Sequence, residues 1–229
     1  MSHRRENDWQ QRPASRITEI AAAFAGALLA ADEVAAEVAI REAMEARLST
    51  PEIDEQVIAP ALWLVGELWE RGQISVADEH IATEITVRVL ALQREVQRVA
   101  QSRGGLRVML ATPAGEQHVV ALRMVANLLR GAGYDVVMLG ADVPTVALAA
   151  AARRVDARVI CMSSTMPGRE DQVLSAIEEV RRASPSAAFV VGGRGFSGEL
   201  QWQPEVHLCE RVSEAVDAVD ATVKRAGLN

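Results

Sequence analysis

Beyond residue 106 short apolar runs alternate with helical periods, and this alternation constrains the fold more than any other feature of the chain. Residues 108–111 are apolar and end at Thr112-Pro113, the mark of a buried strand that runs into a turn. Val119, Leu122, Val125, Ala126 and Leu129 then recur at helical spacing and stop at Gly131 and Gly133. The pattern repeats. A strand over 135–139 precedes a helix over 145–154, and a strand over 158–162 precedes a helix over 170–183. A strand over 188–191 closes at Gly192-Gly193, a fifth spans 206–209, and a last helix spans 213–225. Apolar strands separated by helices predict an α/β domain over 106–229, a doubly wound, Rossmann-like or flavodoxin-like parallel sheet of five strands.

The first hundred residues carry no strand pattern. Alanine-rich helical stretches over 17–31 and 33–48 are divided by Asp32. Ser49-Thr50-Pro51-Glu52 is a helix-start signal, and a third helix is expected over 53–71, ending at Gly72. Ser75 and Asp78 form a capping-box pattern ahead of a fourth helix over 76–101. Short connectors between four helices predict an antiparallel four-helix bundle over 16–102, with Trp63 in its core. Residues 1–15 have no period and read as a disordered arm. Ser102-Arg103-Gly104-Gly105 has linker composition and marks the domain boundary.

Composition excludes several classes. A net charge of −7 without a long basic run argues against a sequence-independent grip on nucleic acid. The apolar stretch 17–31 is too short to span a bilayer, and the polar start of the chain does not read as a secretory leader. A cytoplasmic protein is expected. Cys161 and Cys209 lack paired-ligand spacing and read as reduced, structural thiols.

The chemistry gathers at the carboxyl ends of the strands, where open α/β sheets bind ligands. Gly115-Glu116-Gln117-His118 follows the first strand, and Gly140-Ala141-Asp142 follows the second. A lone loop histidine is commonly a hydrogen-bonded surface residue. Here it opens a helix, and a carboxylate two positions earlier can orient its ring as a second-shell partner of a metal ligand. One protein ligand does not build a zinc site. It is enough for a metal held in a macrocycle, a haem or a corrinoid. Ser163-Ser164-Thr165 and Gly192-Gly193 lie at the ends of the third and fourth strands, where the structural alternatives are a helix cap and a tight turn. Small and hydroxylated residues lining one slot favour a corrinoid with a buried nucleotide tail. No catalytic pair is visible.

These positions resemble cobalamin-binding domains with a helical-bundle cap, which carry an Asp-x-His-x-x-Gly loop, a Ser-x-(Leu/Thr) turn and a Gly-Gly turn. Glu116 replaces the Asp, as in the light-sensing branch, and Ala121 replaces the Gly. The resemblance implies that His118 is the lower cobalt ligand, that Gly115, Glu116 and Asp142 shape its loop, and that Ser163, Thr165, Gly192 and Gly193 hold the tail. In the bundle, Trp69 followed by Glu79-His80 resembles CarH-type photoreceptors, which set these side chains against the adenosyl group of adenosylcobalamin above the ring. Two departures bear on function. There is no winged-helix segment ahead of the bundle, so direct DNA binding is not expected, and Glu70 stands where such proteins place a histidine. A chain of this layout resembles the photocobilins, which implies biliverdin as a second chromophore. The function implied is light sensing: photolysis of the cobalt–carbon bond changes conformation and self-association, as a dimer or higher homo-oligomer, or exposes a surface for a signalling partner. A corrinoid carrier subunit of a methyltransferase and a cobalamin-sensing antirepressor are the alternatives.

Overall fold

A computed structural model of the chain describes residues 12–96, 100–196 and 206–228. The chain divides into two compact units, 1–96 and 97–229.

The first unit is helical. α1 (Arg12–Leu29) begins within the stretch read as a disordered arm, whose residues 1–11 lie outside the described ones. Asp32 caps α2 (Glu33–Glu45), its carboxylate accepting from Ala35 N at 2.9 Å. α3 (Thr50–Ile53), a π-helical turn (Asp54–Ile58) and α4 (Ala59–Glu70) run on without a break. The helix therefore starts at Thr50 rather than Ile53, because Ser49 and Glu52 close a reciprocal capping box and Pro51 fits the first turn. The π turn has a local cause. Pro60 has no N–H to return to the preceding turn, and the ladder widens just before it, where Ala59 N donates to Asp54 O.

α5 (Val76–Val96) opens on the expected cap: Ser75 N donates to Asp78 Oδ2 at 2.8 Å, and Asp78 N to Ser75 Oγ at 3.3 Å. It does not reach residue 101. Ala100 N donates to Gly131 O and Arg103 N to Gly133 O, which ties this strip to the second unit and moves the boundary ahead of residue 102. Ile20, Phe24 and Leu28 pack in the helical core with Ala36, Ile40, Val57, Val65 and Val89. Trp63 does not join them. It is 52% exposed, because the buried side of α4 is lined by Ala61 and Val65.

The second unit is a five-stranded sheet in the order β2-β1-β3-β4-β5, with every pair parallel. Its strands are β1 (Arg107–Pro113), β2 (Asp135–Val143), β3 (Val159–Ser163), β4 (Ala188–Gly192) and β5 (Val206–Cys209). Alternation in β1 explains the two layers. Met109 and Ala111 face a core shared with α7 (Thr145–Arg154) and α8 (Glu170–Ala183). Val108 and Leu110 face the other core, shared with α6 (Val120–Gly131) and α9 (Ala215–Arg225). The chain thus leaves β1 toward one face and its neighbour β3 toward the other, which places the topological switch point, where open α/β sheets bind ligands, at their carboxyl ends. β1 and β2 extend past the apolar runs that marked them, with register irregularities between Leu110 and Pro113. Among the described residues no helix is long and apolar enough to cross a membrane.

Candidate functional site

The loop between β1 and α6 holds Gly115, Glu116 and His118, and the loop after β3 crosses close to it. Glu116 is the hub. Its side chain has no solvent exposure, and its two oxygens divide the work. Oε1 accepts the His118 backbone N–H at 2.9 Å and lies 2.6 Å from His118 Nδ1. Oε2 accepts Ser164 Oγ at 2.8 Å, Thr165 N at 2.8 Å and Met166 N at 3.0 Å. Burial by itself would raise this carboxyl. The donors from Met166, His118 and Ser164 outweigh it and hold the group at about 2, so it is an anion at neutral pH.

An anionic acceptor beside Nδ1 requires that nitrogen to carry the hydrogen, which leaves the Nε2 lone pair for a ligand. The His118 side chain is 50% exposed, so the ring stands at the surface while its orienting carboxylate is buried. A metal held by protein alone wants three or four ligands, and no group of three His, Cys, Asp or Glu suitable for one exists among the described residues. The donor set fits a metal that brings its own equatorial ligands.

Asp142 locks the loop from β2. Its Oδ1 accepts Gly115 N at 2.7 Å, its Oδ2 accepts Gln117 Nε2 at 3.1 Å, and its own N donates to Thr112 Oγ1 at 2.9 Å. Thr112 Oγ1 donates in turn to Glu116 O at 2.5 Å. Asp142 has φ of +52°, tolerable for a short polar side chain bonded locally.

The glycines have a packing reason. A Cβ on Gly193, at φ +110°, would lie 2.2 Å from Ser164 O, and one on Gly192 would lie 2.6 Å from Cys209 O. The turn after β4 thus presses on the turn after β3, and Ser164 N donates to Gly192 O at 3.0 Å. Ser163 is the buried last residue of β3, and the hydroxyl that reaches Glu116 is that of Ser164. Thr165 contributes its backbone N–H rather than its hydroxyl to that carboxylate. Sequence reasoning missed Thr112, Ser164 and Met166. Ser164 lay inside the singled-out triplet, whereas an amide donor such as that of Met166 leaves no side-chain signal.

The helical unit holds the other expected residues. Trp69, near the end of α4, is 46% exposed. In the first turn of α5, Glu79 Oε2 lies 2.5 Å from His80 Nδ1 and Glu79 Oε1 accepts Thr83 Oγ1 at 3.0 Å, with the His80 side chain 72% exposed.

Comparison with known proteins bears on both units. A family model described as "B12 binding domain" matches residues 106–221, and a second with the same description matches residues 20–92. The chain is 31% identical over 140 residues to the HTH-type transcriptional repressor CarA of Myxococcus xanthus, a match covering 61% of this chain and 48% of the repressor, about half its length. It is 29% identical over 181 residues to dimethylamine corrinoid protein 1 of Methanosarcina acetivorans, covering 76% of this chain and 83% of that one. The fold matches the structure of the Methanosarcina barkeri monomethylamine corrinoid protein with a TM-score of 0.69, at 18% identity over 88% of this chain and 97% of that chain.

Proposed function

The chain belongs to the B12-binding domain family, and on that premise we propose that it is a light-responsive regulator that binds adenosylcobalamin through His118. The buried Glu116 carboxylate 2.6 Å from an exposed imidazole, at the carboxyl ends of β1 and β3, carries this reading. His118 Nε2 would hold the cobalt, and Glu116 fixes the tautomer and basicity of that ring. Gly115 and Asp142 set the loop, while Ser163, Thr165, Gly192 and Gly193 line the way for the nucleotide tail.

Adenosylcobalamin supplies, when bound, a visible chromophore and a cobalt–carbon bond that light cleaves. Trp69, Glu79 and His80 of the helical unit would hold the adenosyl group by an indole face and hydrogen bonds. Losing that group leaves the half-exposed indole without its partner. A full switch from 1:99 to 99:1 needs roughly 5.5 kcal/mol of difference between states, within reach of one buried nucleoside with two or three hydrogen bonds. The released cap changes self-association of the chain or exposes a surface for a protein partner. The chain acts as a cofactor-binding regulator. Biliverdin is the second pigment, by resemblance to the photocobilins. Reconstitution with biliverdin that adds no absorbance beyond the corrin bands removes it.

A second reading has an observation of its own. The match to the dimethylamine corrinoid protein covers 76% of the chain, which supports a corrinoid carrier that serves a methyltransferase. Such a carrier needs an accessible upper face and gains nothing from an indole with a Glu-His pair. Absorbance spectra with adenosylcobalamin, in the dark and after green light, decide between them for wild type and His118→Ala. The regulator shows a His118-dependent dark spectrum and a light-driven change in oligomeric state. An unchanged size and shape after illumination overturns it in favour of the carrier.

A further inference from the structure

Arg169 precedes α8 on the loop that leaves β3, and its guanidinium lies across Gly115 on the loop that leaves β1. A Cβ on Gly115 would come within 2.6 Å of Arg169 Nη1 and 3.2 Å of Cζ. These loops leave the two strands between which the strand order reverses. Among the described residues the guanidinium makes no hydrogen bond and no ion pair. Two acids near these loops are engaged elsewhere. Glu116 is saturated by His118 and the loop after β3, and Asp142 by Gly115 N and Gln117. Glu170 and Asp171 follow Arg169 in the first turn of α8.

A half-buried arginine without a counter-charge among the described residues gives up side-chain freedom for no bond in return. It is the N-cap residue of a 14-residue helix whose first turn already carries Glu170 and Asp171 against the dipole. The guanidinium therefore offers a charge for an anion at this strand end, and its planar fork suits two phosphate oxygens at once. A cobalamin carries one such group, the phosphodiester that joins its nucleotide base to the ring's side chain.

We propose that Arg169 receives this phosphodiester, and that it selects corrinoids carrying a phosphate over those that end at the amino-alcohol arm. The inference rests on the corrinoid reading of the site, and its test separates the two. Dissociation constants are measured by absorbance for adenosylcobalamin, adenosylcobinamide phosphate and adenosylcobinamide, with wild type, Arg169→Gln and Arg169→Lys. Arg169→Gln is expected to weaken the first two by about ten- to a hundredfold and leave adenosylcobinamide unchanged, with part of the loss restored in Arg169→Lys. An equal loss on all three makes Arg169 a structural residue and overturns the proposal, as does no loss on any. Failure of wild type to bind any of the three overturns the corrinoid reading instead. Arg169→Lys keeps the charge, so it still reports if the glutamine variant does not fold.

Discussion

Glu116 Oε1 meets His118 twice, at 2.9 Å from its backbone N–H and 2.6 Å from its ring nitrogen Nδ1. The residue that orients the imidazole therefore also fixes the backbone from which it projects, so the direction of Nε2 is set before any ligand arrives. The second oxygen anchors this unit to β3's loop through Ser164, Thr165 and Met166. The imidazole thus stands on a buried anion that bridges two neighbouring strand ends.

Glu116→Gln keeps the shape and removes the charge. Its amide nitrogen would face a donor on either side, the N–H of His118 or those of Thr165 and Met166, leaving buried groups unpaired. A loss of about 1–3 kcal/mol in stability is expected by thermal melting. Corrinoid affinity is expected to fall roughly 10- to 100-fold in an absorbance titration. Equal affinity for the variant would show that the ring needs no orienting anion.

Gly193 and Gly140 separate close approach from backbone conformation. Gly193→Ala drives a methyl group onto Ser164 O at φ +110°, whereas Gly140→Ala at φ +96° meets nothing within 4 Å. The first is expected to cost roughly 3 kcal/mol or more and the second about 1–2 kcal/mol, read as urea midpoints at constant slope. Equal costs would mean that the turns after β3 and β4 can move apart freely.

Asp54, at the start of the π turn, is fully buried, and neither its oxygens nor the amide of buried Gln93 has a hydrogen-bond partner. Burial first, and then the charge of Glu55, push its carboxyl up to about 7, and Gln93 pulls the other way although no hydrogen bond of good geometry joins the two. The folded state therefore holds a proton that the unfolded chain releases near pH 4. Stability should fall as pH rises from about 4 to about 7 and level off above, by up to about 4 kcal/mol. Asp54→Asn is expected to flatten this dependence, with its gain over wild type largest at pH 8. Parallel melting curves for both proteins from pH 4 to pH 8 would refute it.

On the proposed light-responsive reading, Trp69→Ala is expected to leave the dark adenosylcobalamin spectrum as in wild type and to remove any change of size on illumination in gel filtration. A variant that still changes size on illumination would remove the indole from the switch.

Much of the fold was legible in the sequence, because binary patterning acts over a few residues. The apolar runs that became β1 to β5 announced a parallel sheet, and the helices over Thr145–Arg154 and Glu170–Ala183 begin and end where the pattern placed them. Glu116-x-His118 was legible for the same reason, since its two contacts span two residues. Trp63 misled because apolar identity does not say which side of a helix is covered, and Pro60 widened a helix whose period looked regular. The remainder of the site was decided by tertiary structure alone. Glu116 reaches Ser164, Thr165 and Met166 across 48, 49 and 50 residues, and Asp142 reaches Gly115 across 27. Local periodicity dictates that strands form but not which become neighbours. Only the strand order, with Ala111 in register with Met162, brings those partners within hydrogen-bond reach and lays Arg169 across Gly115.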